Sequence, residues 1–410
     1  MKKYLIIGNG IAAVGCIEGI RSADHDGEIT VVSAEGRPAY YRPLISYYLE
    51  GRTTHEMMRA RDEDFYERNG VKVIYSKKAV GTDTAKKQVK LSDGSVLSYD
   101  VLCFATGSSP FVPDMEGLDK VKNKHTFLTL DDALDLEKSI NGNSKVLIIG
   151  AGLIGLKCAE GIRSRVSKIT VCDLADRVLS SILDSDCSDV VKEHLEKNGI
   201  SFLLGDSVRR FDDGIAYMKS GCEVGFDTLV LAVGVRANVS LFRDAGGETG
   251  RGIITDERMR TSLDGIYAAG DCTESLDITS GKRKVIAILP SAYMQGHAAG
   301  VNMAGGDEVF DKNMPMNSIG FFGMHIMTAG TYDGDMSEER SDTSLKRFFT
   351  KDGYLVGFEI IGAEERAGIY TSVIRERTPL SSLDFELLKS TAGSAAFSKE
   401  KRKKMFGGAV

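Results

Sequence analysis

A fifteen-residue stretch that recurs once constrains this chain more than any other feature. Residues 8–22 read GNGIAAVGCIEGIRS and residues 150–164 read GAGLIGLKCAEGIRS, with eight of fifteen positions identical. Each copy follows a short apolar run, YLII at 4–7 and VLII at 146–149. Each precedes a second run with the same opening, ITVV at 29–32 and ITVC at 169–172. Strand, glycine turn, helix and strand in that order make a βαβ unit, and two such units start about 140 residues apart.

The glycine spacing has a chemical reason. The first glycine, Gly8 or Gly150, permits the tight turn out of the strand. The second, Gly10 or Gly152, lets a pyrophosphate reach the backbone. The third position, Ala13 or Gly155, must be small for the helix to pack on the strand. Ile11 and Ala12, or Leu153 and Ile154, open a helix whose free N–H groups and partial positive charge suit phosphate. A single GxGxxG is a weak signal, but two matched copies imply two bound dinucleotides. An acid closing the next strand suits the adenosine ribose hydroxyls. In the second copy that acid is Asp173, which repels a 2′-phosphate and so favours NADH; Arg177 nearby leaves NADPH open. In the first copy the aligned residue is Ser33 and the nearest acid is Glu35.

Composition narrows the class. A length of 410 residues leaves room for two to four domains at roughly 100–200 residues each. Lys plus Arg total 52 against 58 Asp plus Glu, a net charge of −6 that gives no support for nucleic-acid binding. No apolar run reaches the roughly 18 residues of a membrane span. Seven scattered cysteines without a C-x-x-C pair argue against a disulfide framework and for a reduced, cytoplasmic protein. Six scattered histidines show no metal-ligand spacing, so no metal site is expected.

With these motifs and several more, the sequence resembles the FAD-dependent pyridine nucleotide-disulfide oxidoreductase superfamily over nearly its whole length. ATGSSP at 105–110 is similar to the segment that closes the first FAD portion, DTLVLAVGVRAN at 227–238 to the one that closes the NAD insert, and TSLDGIYAAGDC at 261–272 to the second FAD signature. The resemblance implies an α/β fold: two Rossmann-like dinucleotide-binding domains of the glutathione-reductase-like FAD/NAD architecture, plus a small α+β C-terminal domain. It places a discontinuous FAD domain at 1–112 and 245–318, an NAD(P)H domain at 113–244 and a C-terminal interface domain at 319–410. FAD would be held by Gly8, Gly10, Ile11, Ala12, Ala13, Glu35, Arg42, Pro43, Val80, Ala105, Thr106, Gly107 and Asp271. Arg42 would meet phosphate or flavin, and Asp271 the ribityl chain or pyrophosphate. NADH would be held by Gly150, Gly152, Leu153, Ile154, Gly155, Asp173 and Gly234. The stretch 289–305 reads as a helix starting near Pro290, and the resemblance puts its N-terminus at the flavin pyrimidine.

The branch follows from what stands where relatives carry redox cysteines. Residues 38–52 read PAYYRPLISYYLEGR and hold no cysteine, so no thiol relay is available there. The RP-LS pattern instead resembles NADH:rubredoxin reductases, ferredoxin reductases and the FAD module of nitrite reductases. ERAGIYTSVIRER at 365–377 reads as a helix and, continued by TPLS, resembles the C-terminal domain of rubredoxin-reductase-like proteins. The implied reaction passes hydride from NADH to FAD and electrons on to a small carrier such as rubredoxin or ferredoxin. Alternatives are an NADH oxidase, a disulfide reductase, or an FAD reductase component related to nitrite reductase. A homodimer stays open. Many relatives have Lys and Glu where this chain has Tyr47 and Lys157, two positions that the resemblance brings together near the flavin. Lys157 is therefore either a residue at the nicotinamide or flavin edge or a helix-surface lysine. His297 is expected to face core or solvent, and Phe321 and Phe322 to be core strand residues or a flavin shield. The basic run Lys399, Lys401, Arg402, Lys403 and Lys404 is either a docking site for an acidic carrier or a solvated tail.

Overall fold

The two copies of the repeat fold into two copies of one arrangement. A computed structural model describes residues 1–363, 366–398 and 402–403. In the first copy the strand Lys3–Ile7 runs parallel to Glu28–Val32, and in the second Lys145–Ile149 runs parallel to Lys168–Asp173. Their apolar runs are buried on both faces, as central parallel strands require. Each centres a five-stranded parallel sheet. The first sheet runs Ile266–Ala268, Val101–Phe104, Lys3–Ile7, Glu28–Val32, Val71–Ile74. The second runs Ile200–Leu204, Lys168–Asp173, Lys145–Ile149, Thr228–Leu231, Lys124–Thr126.

The helix Ile11–Ala23 crosses the helix Leu289–Met303 at very short range, because four glycines line the crossing. A Cβ on Gly15 or Gly19 would lie 2.3 or 2.2 Å from the carbonyl oxygen of Tyr293 or His297. One on Gly296 or Gly300 would lie 2.0 or 2.1 Å from that of Ala12 or Cys16. No other residue type allows so close an approach of backbones. The contact fixes the second helix against the first glycine turn. Gln295 extends the link by accepting the Gly270 N–H at 2.8 Å, next to Asp271.

The chain divides into two compact units. Both parallel sheets belong to the first, formed by Met1–Ser180, Glu196–Leu276 and Arg283–Asn313. The second takes Ser181–Leu195, Asp277–Lys282 and the described part of Met314–Val410. Its five antiparallel strands run in the order Met316–Phe321, Met324–Gly330, Tyr354–Ile361, Leu345–Lys351, Asp335–Arg340. The helix Ala367–Arg375 packs Tyr370, Val373 and Ile374 onto Phe348 and Phe358 of this sheet. Phe321 is a buried strand residue, as expected. Phe322 is not: it starts a two-residue hairpin turn with Gly323, at φ 47° and 86°. Within the expected stretches, Glu365 of the late helix and Lys399, Lys401 and Lys404 of the basic run lie outside the described residues. Among the described residues, no helix is long and apolar enough to cross a membrane.

Candidate functional site

Both glycine turns are built by the same contacts. Gly8 donates its N–H to Val32 O at 2.9 Å and Gly150 to Cys172 O at 2.8 Å. Gly8 has φ 110° and Gly150 φ 114°, the region that excludes ordinary side chains. A Cβ on Gly8 would sit 2.0 Å from Ala105 O, and one on Gly150 would sit 2.3 Å from Ala232 O. So the repeat continues into Ala105-Thr106-Gly107 and Ala232-Val233-Gly234, which close the two turns. Gly10 and Gly152 behave in the opposite way. Their backbones are extended, at φ −100° and −84°, and a Cβ on either would meet nothing within 4 Å. Each opens a helix, Ile11–Ala23 or Leu153–Ile162, with no side-chain cap and no acid in the first turn. An uncapped N-terminus beside open space fits a pyrophosphate in each copy. At the third position Ala13 is fully buried, and a Cβ on Gly155 would strike Gly150 O at 2.0 Å.

The acids are engaged locally. Asp173 accepts from the backbone N–H of Ala151 at 2.7 Å and of Ala175 at 2.8 Å, so it braces the second glycine turn. Arg177 pairs with Asp176 at 2.9 Å. Glu35 pairs with Arg42 at 2.7 Å and accepts from Tyr40 Oη at 2.8 Å, while Ser33 is buried and bonds to Glu35 O. The structure thus joins two expected residues, Glu35 and Arg42, to each other. Tyr40 also accepts the Leu130 N–H at 2.8 Å, and Arg37 pairs with Asp131; sequence reading missed both ties. Pro43 lies in the first turn after Arg42. Val80 is exposed in the strand Ala79–Asp83, just beyond Lys77, whose N–H bonds to Ser33 O. Ser108 donates to Asp271 at 3.3 Å. Burial pushes the Asp271 carboxyl up, while the Arg42 charge and the Ser108 hydroxyl pull it back.

Lys157 is not a surface lysine. Its side chain is 12% exposed, and its ammonium pairs with the buried Glu160. The ammonium lies 4.4 Å from the centre of the Tyr47 ring, and the Arg52 guanidinium lies 4.6 Å from the same ring. This meeting depends on Gly161, where a Cβ would come within 2.9 Å of Ser46 O, so that the helix Leu153–Ile162 closes on Ile45–Leu49. His297, on the helix Leu289–Met303, pairs with Glu308 at 2.9 Å.

In the second unit, Asp184, Cys187 and Glu359 bring ligand-type atoms within 4.8 Å of one another. A fixed cation already serves that cluster. The buried Arg347 pairs with Asp184, with Asp186 at 2.9 Å and with Glu338 at 2.7 Å, and lies 3.7 Å from Cys187 Sγ. Burial first, then the Asp184 charge, pushes the Glu359 carboxyl up to about 7. Between its ordinary value and 7 the folded chain holds a proton that the unfolded chain releases. The stabilisation is therefore full at acid pH and is lost as pH rises through about 7, by up to about 3 kcal/mol. Glu359→Gln should remove that slope: melting at pH 5.5 and pH 8 should show native stability falling relative to the variant. Parallel curves would place the proton elsewhere.

Known proteins resemble this chain over most of its length. The family model described as "Pyridine nucleotide-disulphide oxidoreductase" matches residues 2–296. The chain is 32% identical over 398 residues to the NADH-dependent phenylglyoxylate dehydrogenase subunit epsilon of Aromatoleum evansii, covering 93% of each chain. It is 30% identical to an NADH oxidase of Methanocaldococcus jannaschii, covering 89% of this chain and 88% of that one. In fold it is similar to a crystal structure of a covalent putidaredoxin reductase–putidaredoxin complex, with TM-score 0.88, 22% identity and 99% of each chain covered.

Proposed function

Because the chain belongs to the pyridine nucleotide-disulphide oxidoreductase family, we propose that this NAD(P)H-dependent flavoprotein oxidoreductase exchanges electrons with a small redox protein of the rubredoxin or ferredoxin kind. The observation that carries this reading is the pair of uncapped, glycine-opened helix N-termini, to which the reading assigns FAD and NADH in turn. The bound cofactors supply hydride transfer between nicotinamide and flavin. The protein binds and orients them.

Gly10 and the N–H groups of Ile11, Ala12 and Ala13 receive the FAD pyrophosphate. Arg42, Pro43, Val80, Ala105, Thr106, Gly107 and Asp271 line the rest of its path. Glu35, now bonded to Tyr40 and Arg42, would hold the adenosine ribose hydroxyls. Gly152, Leu153, Ile154 and Gly155 receive the NADH pyrophosphate, flanked by Gly234, and Asp173 opposes a 2′-phosphate. The domain division at 1–112 with 245–318, 113–244 and 319–410 belongs to the same reading. So does a cytoplasmic location, which six buried free thiols suit.

Lys157, held by Glu160 against Tyr47, places a cation at the meeting of the two dinucleotide segments. There it favours the electron-rich state of the flavin. Lys157→Met should lower the flavin midpoint potential and slow reduction by NADH. An unchanged potential and rate would remove Lys157 from the site.

Residues 38–52 hold no cysteine, so the outgoing electrons need a partner other than a thiol pair in that stretch. The likeness to a subunit of an NADH-dependent dehydrogenase adds that the carrier can be a partner subunit. The NADH oxidase likeness favours oxygen as a second reading. Anaerobic NADH-driven reduction of rubredoxin and of a ferredoxin, set beside NADH consumption in air, separates them. Multiple turnovers with a carrier support the first reading. Turnover with oxygen alone supports the second.

A further inference from the structure

The NAD(P)H segment leaves and rejoins the FAD segment through one narrow ribbon. Ser108–Pro110 and Val235–Ala237 run antiparallel, with Ser108 opposite Ala237, Ser109 opposite Arg236 and Pro110 opposite Val235. Asn238 closes the ribbon with four hydrogen bonds to one short stretch. Its N–H donates to Gly107 O at 2.9 Å, and its Nδ2 donates to Thr106 O at 2.9 Å. Its backbone carbonyl accepts from Thr106 Oγ1 at 2.8 Å, and its Oδ1 accepts from Ser109 Oγ at 2.8 Å. Between the residues so held, Ser108 reaches Asp271.

One amide therefore works on both segments. Its backbone ends the stretch Asp227–Asn238 that carries the Ala232–Gly234 closure of the NAD(P)H turn. Its side chain fixes Thr106 and Ser109 around the FAD closure. The task needs a donor and an acceptor on one short planar group. Aspartate would lose the donor and set a charge against the Thr106 carbonyl, and leucine would lose both.

We propose that Asn238 is a positioning residue that couples the two dinucleotide sites, so that pyridine-nucleotide occupancy and FAD retention are linked through its side chain. The proposal rests on the FAD and NAD(P)H reading above. Linkage of this kind is reciprocal and measurable as a change of one affinity by the other ligand.

The experiment titrates FAD into the apoprotein by flavin fluorescence, with and without saturating NAD⁺, for the native chain, Asn238→Leu and Asn238→Asp. Visible circular dichroism of the FAD-saturated proteins reports the flavin's surroundings. In the native chain NAD⁺ should change the FAD dissociation constant severalfold. Both variants should weaken FAD binding about tenfold, abolish its response to NAD⁺ and alter the flavin dichroism even at saturation. Ser109→Ala removes only the Oδ1 bond and should fall between. It decides by the same readouts should the Asn238 variants fail to fold. Native FAD affinity and dichroism in variants that merely melt earlier would make Asn238 a structural residue only. A native FAD affinity indifferent to NAD⁺ would also overturn the coupling. Failure of the native apoprotein to bind FAD would instead overturn the cofactor reading beneath it.

Discussion

Gly10→Val should yield a folded protein that holds FAD far more weakly. The backbone at Gly10 is extended, a conformation valine adopts readily, and the added Cβ meets nothing within 4 Å. Valine is a poorer residue than glycine at the start of a helix, but the cost is about 1 kcal/mol at most. The melting temperature of the apoprotein should therefore fall by no more than about 4 °C. Apoproteins must be compared, because bound FAD itself stabilises the native chain by mass action. The side chain fills the space in front of the Ile11–Ala23 N-terminus, so FAD affinity should drop by roughly 100-fold or more. Gly8→Val is the contrast. There a Cβ collides with Ala105 O at 2.0 Å on a backbone at φ 110°, so the βαβ turn itself should fail and little soluble protein should form. A Gly10→Val protein that binds FAD normally would remove the pyrophosphate from this turn.

The second large effect separates the two copies. Gly152→Val changes an equally open position, at φ −84°, in the second turn. The variant should keep its flavin, give a normal visible spectrum and be reduced by dithionite. Its kcat/KM for NADH should fall by roughly 100-fold or more if, as proposed, the blocked N-terminus receives the nicotinamide dinucleotide. Loss of flavin instead would mean that the assignment of the two turns is exchanged. Normal NADH kinetics would mean that the second copy is only a structural duplicate.

Much of this site was legible because its signals are local. The apolar runs and the glycine spacing lie within the elements they shape, and the closures at 105–107 and 232–234, though distant from the turns they close, are each a short motif readable by itself. Pro290 marked the start of the helix Leu289–Met303 for the same reason. What stayed hidden depends on partners far apart in the chain. Gly15 and Gly19 repeat at the same interval as Gly296 and Gly300, yet only the fold shows that the two helices cross at those residues. Asn238 ended a recognisable segment, but its bonds reach residues 132 and 129 positions away. Arg347 looks like an ordinary strand residue until the fold sets it on Asp184 and Asp186. Phe322 misled in the other direction. An aromatic run reads as strand, but the tight turn took Phe322 at positive φ, where hydrophobic periodicity carries no information.

With FAD on one turn and NADH on the other, hydride should pass between them. The most direct test is an anaerobic visible spectrum of the purified protein, supplied with FAD, before and after one equivalent of NADH. A flavin spectrum that bleaches on addition of NADH is the predicted result. A protein that takes up no flavin, or one whose flavin bands are untouched by NADH yet bleach with dithionite, would contradict it.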